Sequence, residues 1–317
     1  MPIQLGVVMD PISSIHFKKD STLAMLIEAQ GRSWKLLYME QSDLFVQDGI
    51  ACARTKEIKV CNDASRWFEF GKEHFKKLGD LDVILMRKDP PFDMEYIYTT
   101  YILELAEAYG ALVVNKPQSL RDANEKFYIS WFPNLTPPTL ISRNQSQLLS
   151  FLSEQKEIVV KPLDGMGGTS VFHLKQGDPN TNVVLESMTQ SSKKFVMAQR
   201  FLREITKGDK RIFLIDGEPI PYALARIPAK GDFRGNLAQG ATPKGLALTK
   251  RDRWLCSEIA PTLRQKGLLF TGIDVIGEFM TEINVTCPTC IRELDAIYSI
   301  NVSAVILDCI EKKISSS

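Results

Sequence analysis

The stretch IVVKPLDGMGGT, residues 158–169, decides the fold class of this chain. Branched apolar residues, which are typical of a buried strand, run up to Lys161, and Gly165, Gly167 and Gly168 follow shortly after. Glycine lets the backbone approach a ligand closely and turn its N–H groups toward phosphate oxygens. Lys161 at the end of the strand supplies a cation to the same phosphates. The stretch therefore predicts a phosphate-binding loop between two strands.

The same stretch also fits a glycine-rich hairpin turn that binds nothing. It is not a P-loop, because the spacing G-x-x-x-x-G-K-[ST] is absent and no helix is expected after it. Evidence from other parts of the sequence is needed to distinguish a phosphate-binding loop from a turn without a ligand.

A second chemical signal lies near the other end of the chain. Residues 271–276 and 280–284 read as a β-hairpin that carries Asp274, Glu282 and Asn284. Glu282 and Asn284 share one face because side chains alternate along a strand. Carboxylate and amide oxygens suit Mg²⁺, which takes its remaining ligands from water and nucleotide phosphates. The alternative is a solvated strand whose acidic residues hold no metal.

Arginines between these two signals are candidates for binding anions. Arg211, Arg226 and Arg234 lie there, with Asp209 nearby. Surface arginines are common, but the run Leu224-Ala225-Arg226-Ile227-Pro228 puts Arg226 at the end of an apolar strand. A cation at the end of an apolar strand indicates a cleft and an anionic partner.

The first third of the chain alternates between strands and helices. The apolar patterns predict, in order, a strand at 3–8, a helix at 21–30, a strand at 83–86, a helix at 96–109 and a strand at 112–114. Such alternation is typical of parallel βαβ units.

From residue 140 onward strands dominate. Strands are predicted at 157–161, 169–174, 195–199, 211–215 and 222–226, and the clearest helices at 250–265 and 301–312. Residues 227–245 contain four glycines and two prolines and form a long connection, which indicates a mobile lid. We expect an α/β protein, α+β in its C-terminal part, with two or three subdomains around a cleft.

Composition narrows the classes of partner. The 317 residues carry a net charge of +1, which argues against a nucleic acid or an anionic membrane surface as partner. Residues 1–9 lack the basic leader and apolar core of a signal peptide, and no apolar run is long enough to span a bilayer. Six scattered cysteines indicate reduced thiols, and we expect the protein in the cytoplasm.

The motif Cys287-Pro288-Thr289-Cys290 invites a zinc or redox interpretation. A tetrahedral zinc site needs a second pair of ligands at suitable spacing, and the sequence offers none. A thioredoxin-like redox motif would follow an early strand. We therefore expect neither function, although the thiols follow the presumed metal strand closely enough for their oxidation to disturb it.

The order of these elements resembles the ATP-grasp ligases. Several runs are similar, more narrowly, to the bacterial glutathione synthetases: VMDPI at 8–12, VILMRKDPPF at 83–92, VNKPQSLR at 114–121, KPLDGMGG at 161–168 and TEINVTCPTCIRE at 281–293. The likeness covers essentially the whole chain in one order. It implies an N-terminal βαβ substrate domain at 1–122 and an ATP-grasp domain at 123–317, with a lid at 227–245 and two subdomains that clamp ATP.

The resemblance also implies a reaction and a set of site residues. γ-Glutamylcysteine, glycine and ATP would give glutathione, ADP and phosphate through an acyl phosphate, with Mg²⁺, or Mn²⁺ in its place, as the metal ion. The implied nucleotide-binding residues are Lys126, Lys161, Gly165, Met166, Gly167, Gly168, Gln199, Arg200, Leu202 and Asp209. The implied metal ligands are Asp274, Glu282 and Asn284, the catalytic residues Arg211, Arg226 and Arg234, and the substrate-binding residues Asp10, Ser13, Arg87, Asn236 and Arg292.

The sequence departs from the family pattern at two places. The second half of the lid, GATPKG at 240–245, is less glycine-rich than the family pattern implies, and Pro243 is expected to stiffen it. Cys287 stands where a small polar residue is expected. A homo-oligomer, with a tetramer as the expected form, is also implied by the resemblance alone.

Two other functions remain open at this point. A different ATP-grasp ligase, one that extends a peptide or protein tail, would keep the nucleotide and metal residues but change the N-terminal runs. A regulatory protein that binds nucleotide without catalysis would be expected to have lost some of the lysines, arginines and carboxylates named above.

Overall fold

A computed structural model describes residues 2–316 and contains three β-sheets. The first sheet has seven strands, in the order β3-β4-β2-β1-β6-β7, with β5 on the outer side of β4. Its strands are β1 (Gln4–Val8), β2 (Lys35–Met39), β3 (Leu44–Gln47), β4 (Ile50–Val60), β5 (Phe68–Lys77), β6 (Val83–Met86) and β7 (Leu112–Val114). The helices of this region are α1 (Ser21–Gly31), α2 (Met94–Ala108) and α3 (Pro117–Asp122).

The predicted parallel βαβ arrangement is confirmed for part of this sheet. Strands β2, β1, β6 and β7 run parallel to one another, with α1 and α2 as crossover helices. Strands β3, β4 and β5 instead form an antiparallel meander, which the sequence reading did not place. Asp48-Gly49 between β3 and β4 has φ of 50° and 79°, the positive values that a tight hairpin turn needs. That Asp-Gly pair was the available sequence signal.

The second sheet is antiparallel and has four strands in the order β10-β9-β11-β8. The elements are β8 (Thr139–Ser142), α4 (Gln145–Gln155), β9 (Glu157–Pro162), β10 (Phe172–Lys175), α5 (Thr181–Thr189) and β11 (Val196–Arg200). Leu148 and Leu152 of α4 and Leu185 of α5 pack against Ile158 and Val160 of β9 in a small core. Its other face borders the cavity described below.

The third sheet is also antiparallel, with five strands in the order β14-β13-β12-β15-β16. The elements are β12 (Asp209–Ile215), β13 (Glu218–Ile227), β14 (Thr242–Ala247), α6 (Lys250–Gln265), β15 (Phe270–Ile276), β16 (Phe279–Asn284), α7 (Ile291–Tyr298) and α8 (Val302–Ser316). The C-terminal helix α8 returns to the first sheet, where Ile306 and Ile310 share a core with Leu5 and Leu26.

Two predicted elements need correction. The strand expected at 169–174 begins only at Phe172, because Thr169 N–H donates to the Met166 carbonyl (3.2 Å) and Ser170 has φ 56°, so the glycine turn continues. The lid expected at 227–245 is a loop only over 228–241, because β13 ends at Ile227 and β14 begins at Thr242. Pro243 therefore lies opposite Arg226 in a β-ladder and not in the loop that it was expected to stiffen. Strand β14 is an edge strand, where proline is tolerated.

Several helices of the structure have no counterpart among the helices predicted from the sequence, whereas the predicted helices agree closely with observed ones. The unplaced helices are α3, α4, α5 and α7. Helix α6 spans the predicted 250–265, because Thr249 and Asp252 form a capping box at its start. No helix within residues 2–316 is long and apolar enough to cross a membrane.

Candidate active site

A cavity of about 850 Å³ lies where the three sheets meet. Its wall includes Asp10 from the first sheet, Lys161 from the second and Asp274 from the third. The glycine loop 165–168 and the loop 233–238 also border it. A cleft of this size, with polar groups from separate units, is typical of a small-molecule site.

Two lysines enter the cavity from one side. Lys126 Nζ lies 3.0 Å from Glu282 Oε1 and donates to the Gly165 carbonyl (2.5 Å), while Lys161 Nζ donates to the Thr281 carbonyl (3.1 Å). Burial lowers the pKa of Lys161. Burial also acts to lower the pKa of Lys126, but the Glu282 carboxylate outweighs it and the pKa is raised. The two lysines thus connect the glycine loop with strand β16, and their positive charges could bind phosphate.

The presumed metal ligands lie on adjacent strands. Asp274 of β15 is directly opposite Glu282 of β16 in the ladder, and Asn284 follows two residues along. Directly opposite residues of an antiparallel pair share one face, so the three side chains converge. Among residues 2–316 no group of three His, Cys, Asp or Glu side chains could hold a metal by itself. A metal here would need the amide of Asn284 as well as ligands from substrate.

Asp274 is held by two buried arginines. Arg211 donates through Nε to Asp274 Oδ1 (2.6 Å) and through Nη2 to Oδ2 (3.2 Å). Arg226 Nη2 lies 2.9 Å from Asp274 Oδ2 and donates to Asp209 Oδ2 (2.5 Å). Although burial opposes ionisation, the guanidinium groups of Arg211 and Arg226 hold the pKa of Asp274 well below its usual range. Burial raises the pKa of Asp209 to about 6.

Four buried polar atoms of cavity-lining residues have no hydrogen-bond partner within the described chain. They are Arg226 Nε, Asp209 Oδ1, Asn284 Nδ2 and Glu293 Oε2. Buried polar groups are nearly always satisfied, so orphans that gather at one cavity indicate a missing ligand. The donor set fits Mg²⁺: two facing carboxylates supply hard oxygens, and the unbonded amide of Asn284 is free to turn its oxygen toward them.

An apolar slot lies beyond the lysines. Gln199, Arg200, Phe201 and Leu202 border it at the end of β11. The Gln199 amide donates to Thr139 Oγ1 (3.1 Å), which fixes its orientation, and Leu202 is buried. Phe201 stacks on His173 with ring centroids 3.8 Å apart.

The lid residues 228–241 lie against the glycine loop. Arg234 donates to the Gly168 carbonyl (3.5 Å) and is paired with Asp232 (2.7 Å), while Gln239 donates to the Gly167 carbonyl (3.1 Å). Asn236 lies so close that a Cβ on Gly168 would fall 2.4 Å from its Oδ1. Gly168 has φ 78°, a conformation that favours glycine. Met166 and Gly165 complete the loop at the cavity.

Three predicted substrate residues do not line the cavity. Arg87 is buried and donates to Thr22 Oγ1 (3.1 Å) and to the Pro288 carbonyl (3.0 Å). Arg292 donates to the Phe17 carbonyl (2.6 Å) and to Asn62 Oδ1 (2.5 Å). Ser13 is also outside the lining, and its neighbour Ser14 is inside it. Asp10 and Asn236 do line the cavity, and Asp10 is paired with Lys88 (2.9 Å).

The structure adds residues that the sequence reading missed. Glu125 is buried beside Lys126, and its Oε1 accepts from the backbone N–H of Val285 (2.9 Å) and of Thr286 (3.0 Å), which follow the last metal ligand. His16 and Lys19 line the end of the cavity near Asp10. The only feature of the sequence that could have pointed to Glu125 is its position next to Lys126. No local pattern in the sequence indicates His16 or Lys19 as a cavity residue.

Cys287 and Cys290 both line the cavity as free thiols. Burial raises the pKa of both thiols, whereas an activated thiol needs a lowered pKa. The burial of these thiols therefore opposes the formation of a thiolate at either cysteine.

Comparisons with known proteins cover the whole chain. The family model described as prokaryotic glutathione synthetase, N-terminal domain, matches residues 3–121, and the model for the ATP-grasp domain of the same family matches residues 125–299. A glutathione synthetase of Pseudomonas aeruginosa is 56% identical over 316 residues, covering 100% of both chains. One of Vibrio cholerae is 52% identical over 99% of each chain.

Solved structures with low sequence identity share the fold. The D-cycloserine synthetase DcsG gives a TM-score of 0.69 at 13% identity over 98% of this chain and 99% of its own. The D-alanyl-alanine synthetase A of Vibrio cholerae gives 0.62 at 12% identity over 99% of both chains. At such identities the likeness establishes the ATP-grasp architecture alone.

Proposed function

Because the chain belongs to the prokaryotic glutathione synthetase family, we propose that its cavity joins γ-glutamylcysteine to glycine with the hydrolysis of ATP. Membership makes the chain an ATP-dependent ligase with small-molecule substrates. One observation supports this assignment of the cavity most directly. The lysines, the facing carboxylates and the orphaned buried donor of Arg226 border one cavity at the junction of three sheets.

The nucleotide would lie across the glycine loop. Its base would enter the slot bordered by Gln199, Arg200 and Leu202, with Asp209 near the ribose. Lys126 and Lys161 would hold phosphate oxygens together with backbone N–H groups of residues 165–168. Lys126 contacts the Gly165 carbonyl and Glu282, and Lys161 contacts the Thr281 carbonyl, so phosphate oxygens would take the place of these partners.

Asp274, Glu282 and Asn284 would hold Mg²⁺, or Mn²⁺ in its place. When bound, this ion supplies positive charge that bridges the phosphates and neutralises charge developing on them. In the chain without ligand, Lys126, Arg211 and Arg226 balance these carboxylates instead. Arg211 and Arg226, which pair with Asp274, would be the guanidinium groups available to face the substrate.

The reaction would proceed in two balanced steps. A carboxylate oxygen of γ-glutamylcysteine attacks the γ-phosphorus of ATP, the bond to ADP breaks, and an acyl phosphate forms. The neutral amine of glycine then attacks the acyl carbon, phosphate leaves with the bonding electrons, and the amine gives up a proton. Arg211 and Arg226 would stabilise the negative charge of both transition states, and no side chain needs to act as a covalent nucleophile.

The lid would protect the acyl phosphate from water. Arg234 and Asn236 would close over it from residues 228–241, since both already contact the glycine loop at Gly168. At the far end, Asp10, His16 and Lys19 offer both signs of charge to the zwitterionic glutamyl group. Arg87 and Arg292 would act there only through the backbone that they hold.

Three further features belong to this proposal. The domain boundary would fall at 122/123, the protein would act in the cytoplasm, and the chain would form a homo-oligomer, a tetramer by family resemblance. These three points do not affect the assignment of the reaction.

The test is ADP release from ATP and Mg²⁺ with γ-glutamylcysteine, measured with and without glycine. We expect glycine-dependent turnover and a product with the mass of glutathione. Nucleotide binding without glycine-dependent turnover would contradict the substrate assignment and favour an ATP-grasp ligase for another acceptor. Failure to bind ATP would contradict the whole assignment of the cavity.

A further inference from the structure

Strand β16 ends in two of the proposed metal ligands, Glu282 and Asn284, and is an edge strand of the third sheet within residues 2–316. Along its inner edge it pairs with β15. Along its outer edge the backbone N–H of Ile283 donates to the carbonyl of Glu125 (2.9 Å), and the N–H of Val285, just beyond the strand, donates to Glu125 Oε1 (2.9 Å). Glu125 therefore takes the place of a neighbouring strand at this end of β16.

The carboxylate of Glu125 accepts three hydrogen bonds at one oxygen. Besides the N–H of Val285, the backbone N–H of Thr286 (3.0 Å) and the hydroxyl of Thr286 (2.8 Å) donate to Oε1. Backbone N–H groups that have no partner strand need another acceptor, and here a side chain supplies it. The chain immediately after Asn284 is therefore held by the side chain of one residue.

These hydrogen bonds bracket Asn284. The residues on either side of it, Ile283 and Val285, are both bound to Glu125, so the backbone of Asn284 is fixed from both sides. Its own amide is not fixed, because Nδ2 has no hydrogen-bond partner within the described chain. Gly272, which lies directly opposite Asn284 in β15, has no side chain that could hold this amide. The position of Asn284 therefore depends on Glu125, and its amide stays available to a ligand.

We propose that Glu125 is a positioning residue for the metal ion, because it places Asn284 where it can share one ion with Asp274 and Glu282. This role rests on the proposed function, which takes those three residues as the metal ligands. Glu125 would not bind the ion through Oε1, since three hydrogen bonds already occupy that oxygen. Groups that hold metal ligands without touching the metal contribute about 10- to 100-fold to metal affinity.

The end of β16 has other supports besides the side chain of Glu125. The amide of Asn115 donates to the Val285 carbonyl (2.7 Å). The hydrogen bond from Ile283 goes to the backbone of Glu125, which every substitution at this position retains. Removing the Glu125 side chain should therefore leave the strand folded and displace Asn284.

The Mg²⁺ dependence of nucleotide binding tests this role. The Kd of ADP is measured by titration calorimetry without Mg²⁺ and with a fixed excess of Mg²⁺, and the ratio of the two values reports on the metal site. Glu125→Ala should reduce this ratio at least about tenfold and leave the Kd without Mg²⁺ within about threefold of wild type. Glu125→Gln keeps a carbonyl oxygen for the same three donors, so its ratio should stay within about threefold of wild type. Glu125→Asp is one methylene shorter and should behave like the alanine variant.

Asp82→Ala is the matched control. The carboxylate of Asp82 also accepts from a backbone N–H, that of Gln4 (2.7 Å), but it lies just before β6 and does not line the cavity. This variant should leave the ratio unchanged. Urea unfolding verifies that each variant is folded, and Glu125→Asp replaces Glu125→Ala if the alanine variant does not fold.

Two results would overturn the role of Glu125. One is a folded alanine or aspartate variant whose ratio equals that of wild type. The other is a glutamine variant whose ratio falls as far as that of the alanine or aspartate variant, because the acceptor would then not be what matters. A wild-type chain whose affinity for ADP does not depend on Mg²⁺ would contradict the metal site of the proposed function itself, and this role with it.

Discussion

Asp274 combines a structural role with the metal-binding role that we propose for its carboxylate. It neutralises Arg211 and Arg226 in the buried wall and faces Glu282 across the ladder. Removing one partner of a buried ion pair leaves the other charge uncompensated, which costs about 3–5 kcal/mol. The same change removes one oxygen ligand of the proposed metal site.

We therefore predict that Asp274→Asn lowers kcat at least about a hundredfold and destabilises the ligand-free protein by several kcal/mol. Urea unfolding and steady-state turnover measure the two effects. The double variant Asp274→Asn/Arg211→Met should recover part of the stability and none of the activity. If Asp274→Asn left the unfolding midpoint unchanged, the buried cluster would not be the stabilising unit described here.

Lys161 gives the site a pH dependence with a defined sign. Burial lowers its pKa from the usual 10.5, which means that the folded protein holds this proton less tightly than the unfolded chain. Nucleotide phosphates favour the charged ammonium and raise the pKa again. Nucleotide binding should then take up protons at alkaline pH, between the lowered pKa and the pKa in the complex.

This uptake is measurable by titration calorimetry of ADP with Mg²⁺ at a series of alkaline pH values below 10.5, in two buffers of different ionisation enthalpy. Lys161→Arg is the control, because a guanidinium keeps the charge but does not titrate in this range. Its binding enthalpy should no longer depend on the buffer. Equal proton uptake by wild type and Lys161→Arg would assign the titration to another group.

At the scale of elements, a single substitution in the glycine loop can disturb its contact with the lid. Gly167 and Gly168 both have positive φ, 63° and 78°. A Cβ at Gly167 would meet no atom within 4 Å, whereas one at Gly168 would fall 2.4 Å from Asn236 Oδ1. The two alanine variants therefore share the backbone strain and differ in the clash with the lid.

Gly168→Ala should prevent the lid from closing fully, and the acyl phosphate would then be open to water. We predict ADP release that exceeds glutathione formation in Gly168→Ala, with tight coupling retained in Gly167→Ala. The ratio of ADP to glutathione after single substrate additions measures this. Equal coupling in both variants would show that this contact does not protect the intermediate.

At the scale of the whole molecule, the cavity walls come from three sheets, so a bound nucleotide joins units that otherwise meet through fewer contacts. A ligand at about 100 times its Kd stabilises the state that binds it by about 2.7 kcal/mol. ADP with Mg²⁺ should raise Tm by several degrees, and Lys161→Met should lose most of that shift at the same concentrations. A full shift in Lys161→Met would place the nucleotide elsewhere.

The sequence by itself determined the local features of this protein. The glycine loop, helix α6 with its capping box and the hairpin of Asp274 and Glu282 each depend on residues close together in the chain, so their patterns are legible without a structure. The order of these motifs along the chain also indicated the family. Turns such as Asp48-Gly49 were equally local, and the meander β3–β5 could have been predicted from it.

Only the tertiary structure decided which charges meet. Arg211 lies 63 residues from Asp274, and Arg87 lies 201 residues from the Pro288 carbonyl that occupies its guanidinium. Both pairings depend on how sheets pack, which no local pattern encodes. For the same reason the sequence could indicate Arg87 and Arg292 as cations near substrate. It could not show that their guanidinium groups donate hydrogen bonds to backbone carbonyls. The sequence shows which chemical groups are present, and the packing of the three sheets determines which of them face the cavity.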